Sequence, residues 1–119
     1  MIYCVDQLTK SFGNHTVLRN LCVEISEPGI YGILGLNGAG KSTFIKLMLK
    51  ILTPSSGNIY YNGKNIEHTG NDYFRDIGAV LEGNRNLYWY MSAKENLRYY
   101  GRLMGLTMSF ETGQRNCSL

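Results

Sequence analysis

One glycine-rich run constrains this chain more than any other feature of its sequence. The run is GLNGAGKST at residues 35–43, and it matches the pattern G-x-x-x-x-G-K-[ST] at every required position. An apolar stretch at residues 30–34 predicts a buried strand before it, and the apolar spacing at residues 43–52 predicts a helix after it. A strand, this loop and a helix in that order predict a site for a nucleoside triphosphate. The alternative is a glycine-rich turn without a ligand.

The residue types in this loop suit a polyanion. Glycines let the backbone wrap phosphates without a Cβ in the way, so that successive N–H groups can form an anion nest. A helix beginning near Lys41 adds unpaired N–H groups and a positive dipole end, and Lys41 is expected to reach the β- and γ-phosphates. We expect Ser42 to bind Mg²⁺ and Thr43 to lie on the α-phosphate side. The predicted nucleotide-binding positions in the loop are Gly35, Asn37, Gly38, Ala39, Gly40, Lys41, Ser42 and Thr43.

Length and composition exclude several classes of protein. A chain of 119 residues predicts one domain at most. Its net charge of +3 is spread without a long basic run, so nucleic-acid binding is not expected. The three cysteines, Cys4, Cys22 and Cys117, are too far apart for a metal motif and fit a reducing cytosol. No signal peptide or membrane-spanning run is evident, so any membrane role is expected to come through a partner.

Hydrophobic patterning predicts the strands. Alternation predicts strands at residues 2–8 and 17–25, and a short strand at 58–63 that enters an Asn-Gly turn. The uniformly apolar run 77–81 predicts a strand covered on both faces. Residues 64–76 are polar and predict a loop with one helical turn near its end.

The last part of the chain contains a helix signal. Ser92 and Glu95 have the spacing of a capping box, which predicts a helix from there to about Met104, with Gly105 ending it. Residues 107–119 are polar and lack a period, which is typical of a frayed tail.

The order of these motifs resembles the first half of an ATP-binding cassette (ABC) ATPase, the nucleotide-binding subunit of ABC transporters. The resemblance covers residues 1–106 and implies one partial nucleotide-binding domain over that range. It implies an α/β fold: an incomplete P-loop NTPase core of the ABC type, an antiparallel β subdomain and the start of a helical subdomain. Besides the phosphate loop, the resemblance is carried by the segments 8–13, 52–57, 59–63, 77–82, 87 and 92–97.

The resemblance implies roles for two residues outside the loop, with ATP and Mg²⁺ as ligands. Phe12 matches the aromatic residue that stacks on adenine, and a plain core or turn aromatic is the alternative. Glu82 stands where the family usually has glutamine, near Mg²⁺ or the attacking water. Its carboxylate suits Mg²⁺ but adds a charge that repels the γ-phosphate, so a solvated loop glutamate remains the alternative.

The resemblance also implies partners. The segment that begins at Glu82 and ends at Met91 corresponds to the groove that receives the transmembrane permease subunit, and its aromatic residues suit an interface. The alternative is that they fill the junction with the helical subdomain. A second nucleotide-binding subunit is implied in the intact parent, with a location on the inner face of the cell membrane.

The catalytic half of the family's apparatus is missing from the sequence. There is no Leu-Ser-Gly-Gly-Gln signature, no apolar strand ending in Asp-Glu and no later switch histidine, so we predict no catalytic residue. We expect a truncated product or an N-terminal fragment of an ABC transporter subunit, and the resemblance favours export. A non-catalytic ATP-binding module and a different P-loop NTPase remain alternatives, although the Asn-Lys-x-Asp guanine motif is absent.

Overall fold

A computed structural model describes residues 1–83 and 87–105 of the chain. The chain divides into two compact units, Met1–Asp76 and Ile77–Leu119, called the first and second unit below. The phosphate loop lies in the first unit, and the capping box lies in the second. The predicted domain bounds of 1–106 stay a prediction, and the predicted tail at 107–119 falls outside the described residues.

The first unit is built on a four-stranded antiparallel sheet of order β2-β1-β3-β4. The strands are β1 (Tyr3–Phe12), β2 (His15–Ile25), β3 (Ser56–Tyr61) and β4 (Lys64–Asn65). Predicted strands 2–8 and 17–25 are confirmed, and both extend further toward the turn at Gly13 and Asn14. The buried apolar side chains of this unit are Val5, Leu8, Leu18, Phe44, Leu47, Ile59, Ile66 and Tyr73.

The central strand β1 is bulged on both sides. Between Val5 and Leu8 it contains one more residue than β2, and Gln7 there has a φ of 47°. Gly57 of β3 approaches this bulge so closely that a Cβ would clash with the Gln7 carbonyl and lie 2.7 Å from the Asp6 carbonyl oxygen. Only glycine fits at such a backbone crossing, since any larger residue forces the strands apart.

The predicted Asn-Gly turn is confirmed between β3 and β4. Asn62 and Gly63 both have positive φ, at 47° and 77°. Two consecutive residues of this kind define the type I′ turn, whose twist matches that of the flanking strands. The loop after β4 contains a 3₁₀ turn at Ile66–His68 and a short helix α2 at Asp72–Arg75, close to the predicted helical turn.

Helix α1 is shorter than the apolar spacing predicts. It runs over Lys41–Met48 rather than to residue 52. Lys50 adopts a left-handed φ of 56°, and the Ile51 N–H donates to the Lys46 carbonyl at 2.9 Å. This left-handed termination satisfies a carbonyl of the last turn and turns the chain toward β3.

Two predicted strands are not formed. Residues 30–34 are not in a strand, and Ile30 and Leu34 are fully or almost fully exposed. Residues 77–81 are also not in a strand, with Val80 88% exposed. The composition of both runs suits parallel strands, but a strand forms only when a neighbour completes its hydrogen-bond ladder. No described residue pairs with either run in a sheet.

The described part of the second unit contains helix α3, Ala93–Leu103. The capping box is confirmed: the Ser92 hydroxyl accepts from the Glu95 N–H at 3.3 Å, and the Glu95 carboxylate accepts from the Ser92 N–H at 2.7 Å. Gly105 follows the helix with a φ of 76°, as predicted. In the ranges that the structure describes, no helix combines the length and apolar character that a membrane crossing requires.

Candidate nucleotide-binding site

The phosphate loop forms a compact turn in front of α1. Asn37 and Gly38 form a turn, and the Ala39 N–H donates to the Leu36 carbonyl at 3.1 Å. The Phe44 N–H then donates to the Gly40 carbonyl at 2.8 Å, which is the first bond of the helix. The loop residues before Gly40 are exposed, so this face of the turn is accessible to a ligand.

Gly40 anchors the loop to the sheet. It is buried, and its φ of 96° lies in the left-handed region. A Cβ at this position would lie 2.8 Å from Leu18 Cδ2 and 3.0 Å from Val17 Cγ1. The glycine therefore serves two requirements, a backbone conformation that L-residues rarely adopt and direct packing against β2.

The N-terminus of α1 is suited to an anion. Gly40 is the N-cap residue and supplies no side-chain acceptor, and the first turn contains no acidic residue. The first N–H groups of a helix have no acceptor within it, and the positive end of the helix dipole lies there. A phosphate oxygen at this end would accept from those N–H groups and be stabilised by the dipole.

The Lys41 side chain folds back across the loop. Its ammonium donates to the Gly35 carbonyl at 2.5 Å and to the Leu36 carbonyl at 2.8 Å. An ammonium has three N–H donors, so one remains beyond these two bonds. The Gly35 and Leu36 carbonyls thus hold the positive charge of Lys41 at the loop, next to the N-terminus of α1, which favours anions.

The other predicted loop positions lie in the same turn. Gly38 has a φ of 83°, and a Cβ there would meet nothing within 4 Å, so it borders open space. Ser42 is exposed in the first turn of α1, and Thr43 is half-buried. Magnesium beside a triphosphate takes most of its ligands from phosphate and water, so one exposed hydroxyl such as that of Ser42 fits the predicted metal role.

Phe12 lies on the hairpin that supports the loop. Leu18, which contacts Gly40, pairs with Lys10, two residues before Phe12 on β1. The Phe12 ring is 48% exposed, and the Lys10 ammonium lies 5.1 Å from its centroid. An exposed ring with a cation on it can offer a stacking face to a base. Its role as the adenine contact stays a prediction.

Glu82 is the one predicted ligand outside the first unit. It is an exposed residue of the second unit, and its metal role stays a prediction. The structure describes no group of three or more His, Cys, Asp or Glu side chains that could hold a metal without other ligands, within residues 1–83 and 87–105.

The second unit presents an exposed aromatic surface, formed by Leu87, Trp89 and Tyr90. These side chains are 62%, 92% and 68% exposed. The Tyr88 ring lies 5.3 Å from Tyr99 and 6.2 Å from Tyr100 of α3, and 5.6 Å from Tyr90. Within the described residues of the segment that the sequence predicts as a partner groove, the Tyr88 ring packs on α3, whereas Leu87, Trp89 and Tyr90 are largely exposed.

Two features of these sites are not indicated by any motif in the sequence. The packing of Gly40 on Val17 and Leu18 joins residues far apart in the chain, so no local pattern could reveal it. Asn96 is buried within α3, and a poor helix former inside a helix was the available signal.

Comparison with known proteins is consistent with this geometry. The family model described as ABC transporter matches residues 18–117. The chain is 39% identical to the ABC transporter ATP-binding protein NatA of Bacillus subtilis over 89 residues, which is 75% of this chain and 36% of that protein. It is 37% identical to Nod factor export ATP-binding protein I of Cupriavidus metallidurans, over 82% of this chain and 32% of that protein.

A solved structure of an ATP-binding subunit of an ABC transporter superposes with a TM-score of 0.75 and 28% identity, over 92% of this chain and 45% of that one. This chain therefore spans about a third of the two curated relatives and under half of the solved structure. The predicted α/β fold class, an incomplete ABC-type core with an antiparallel subdomain, is confirmed. The chain belongs to the ABC transporter family, among its ATP-binding subunits.

Proposed function

We propose that this chain binds ATP with Mg²⁺ through residues 35–43, as part of the ATP-binding subunit of an ABC transporter. The observation that carries the proposal is the position of the Lys41 ammonium on the Gly35 and Leu36 carbonyls, beside the uncapped N-terminus of α1. A cation, unpaired N–H groups and a helix dipole at one accessible turn together favour a polyphosphate. Ser42 would hold the metal from the protein side, with Glu82 as a second candidate.

The base-specific part of the proposal rests on Phe12. Its ring is half exposed on the hairpin that packs on Gly40, so a base extending from the phosphates toward that hairpin could stack on it. Stacking on an aromatic side chain contributes about 1–3 kcal/mol per base in single-strand binders. We propose adenine as the base, in keeping with the names of the relatives.

The transport partner is proposed from the second unit. The aromatic surface offers a tryptophan and a tyrosine to an interface, and both types are enriched in interface cores. We propose that the segment from Glu82 to Met91 contacts a transmembrane permease subunit at the inner face of the cell membrane. A second ATP-binding subunit would complete the parent assembly. Export is the proposed direction, because one relative carries export in its name.

Thermal unfolding with and without MgATP tests the binding proposal. A ligand that binds only the folded chain stabilises it by about 2.7 kcal/mol at a concentration of 100 Kd, so the melting temperature should rise with MgATP. Lys41→Ala should abolish this rise. The matched control is Lys46→Ala, which removes an exposed lysine from the last turn of the same helix and should leave the rise intact.

Two results would contradict the proposal. An equal rise in melting temperature for Lys41→Ala and the unchanged chain would place the nucleotide elsewhere. A larger rise with MgGTP than with MgATP would refute Phe12 as an adenine contact.

Binding is proposed without turnover by this chain alone. Hydrolysis needs a positioned water and charge stabilisation at the γ-phosphate, and the sequence contains no Asp-Glu pair to supply them. Phosphate release from MgATP should therefore stay at the level of the Lys41→Ala variant. Steady hydrolysis that Lys41→Ala abolishes would show that this chain contains its own catalytic group.

A further inference from the structure

Asn96 is the buried polar side chain of the described residues, at 2% exposure in α3. Asparagine is a poor residue for a helix interior, and a buried amide is costly unless its hydrogen bonds are made. Its position therefore requires a compensating set of partners.

Those partners are the backbone of the segment in front of α3. Asn96 Oδ1 accepts from the Tyr88 N–H at 2.7 Å. Asn96 Nδ2 donates to the carbonyls of Tyr88 at 3.0 Å, Met91 at 3.0 Å and Ser92 at 3.1 Å. An amide nitrogen has two hydrogens, so three carbonyls share them and the side chain is fully satisfied. One residue thus holds both ends of the 88–92 segment against the helix.

The aromatic surface lies on the backbone that Asn96 holds. Trp89 contacts Tyr90 at 5.9 Å between ring centroids, and both rings are largely exposed. The Tyr90 ring also lies 5.6 Å from the Tyr88 ring, and the backbone sets the point and direction at which each of these side chains leaves the segment. That backbone is held by Asn96 and by the Tyr88 ring on α3.

We propose that Asn96 is the positioning residue of the aromatic surface, which it holds through backbone hydrogen bonds in the orientation offered to a partner. The identity of that partner as a permease subunit rests on the proposed function. The simpler alternative is that Asn96 only stabilises the start of α3.

The single tryptophan allows these two roles to be separated. Trp89 is the one tryptophan of the chain. Its near-UV circular dichroism band and its fluorescence anisotropy therefore report on the aromatic surface itself. Asn96→Leu removes every bond of the amide. Asn96→Asp keeps the shape and the acceptor for the Tyr88 N–H but places an oxygen against three carbonyls. Ser92→Ala is the matched control, because it removes the helix cap while the Asn96 amide keeps its backbone partners.

Both Asn96 variants should lose most of the Trp89 circular dichroism band and the slow component of its anisotropy decay, with the far-UV spectrum retained. Ser92→Ala should keep the Trp89 signals even though it weakens the helix start. The proposal is overturned if Asn96→Asp keeps the Trp89 signals of the unchanged chain, or if Ser92→Ala loses them equally. Should Asn96→Leu fail to fold, Asn96→Asp decides the question.

Protection by MgATP, measured on the same variants, keeps the two proposals apart. It reports on the phosphate loop of the first unit and should be unchanged in Asn96→Asp. If MgATP does not raise the melting temperature of the unchanged chain, the proposed function is refuted. The Trp89 signals would still decide the role of Asn96.

Discussion

Substitution of Gly40 by alanine tests how the phosphate loop is attached to the sheet. Gly40 combines a φ of 96° with direct contact to β2, whereas Gly38, two residues earlier, has a φ of 83° and open space around it. Alanine at either position imposes backbone strain. Only at Gly40 does the new methyl group also meet Leu18 at 2.8 Å and the Val17 carbonyl oxygen at 3.1 Å.

The magnitudes follow from these two contributions. A residue with a Cβ in the left-handed region costs about 1–2 kcal/mol. Inserting a methyl group into a packed region costs about 1–3 kcal/mol more. Replacing glycine restricts the unfolded chain and offsets about 0.4–1 kcal/mol. We therefore expect Gly40→Ala to lower the free energy of unfolding by about 3 kcal/mol and Gly38→Ala by about 1 kcal/mol.

Urea unfolding followed by far-UV circular dichroism and tyrosine fluorescence measures both effects, because the sheet and most of the tyrosines lie in the first unit. Stability changes should appear as shifts of the midpoint at constant m-value. The predicted difference of about 2 kcal/mol corresponds to about a 30-fold difference in the folded-to-unfolded ratio.

Equal destabilisation of the chain by Gly38→Ala and Gly40→Ala would contradict this prediction. That result would mean that backbone strain alone sets the cost and that the packing of Gly40 on β2 contributes nothing. Equal MgATP protection in Gly40→Ala and the unchanged chain would separately refute a role for this glycine at the ligand site.

Two further predictions concern pH. The Tyr73 hydroxyl donates to the Met48 carbonyl at 2.7 Å. Burial is the main cause that raises the pKa of both Tyr73 and the neighbouring Tyr3. Their contribution to stability is complete below pH about 10 and is lost as the pH rises further, so Tyr73→Phe should flatten the alkaline decline of the urea midpoint; an unchanged slope would contradict this. Hydrogen bonds from the Ser92 hydroxyl and N–H lower the pKa of Glu95. Helix content measured by circular dichroism should therefore fall below pH about 4, and Glu95→Gln should remove that step; a step of equal size in the variant would contradict this.

Features that depend on a few neighbouring residues could be predicted from the sequence. Asn62 and Gly63 form their turn because both tolerate positive φ, and Ser92 and Glu95 cap α3 because their side chains reach each other's backbone within one helical turn. The phosphate loop belongs to this class, since its glycines, its lysine and the helix start lie within one short run.

Features that depend on distant partners could not be predicted in this way. The apolar run at residues 30–34 predicts a buried strand, but these residues are exposed. No described strand lies beside them to form the backbone hydrogen bonds of a sheet. Helix α1 ends at Met48 instead of residue 52, and Lys50 just beyond it has a left-handed conformation. The apolar periodicity of the sequence does not reveal this conformation.

Residues 35–43 alone predict a phosphate-binding loop, and the order of motifs along the chain predicts the family, because both patterns can be recognised from residues close together in the sequence. How the loop and the aromatic surface are held depends on the folded chain. Gly40 lies against Val17 and Leu18 because β2 folds back onto the helix start, and Asn96 holds the aromatic surface because α3 turns its amide toward the preceding backbone. Both arrangements come from contacts made after the chain has folded, between groups that no local pattern pairs.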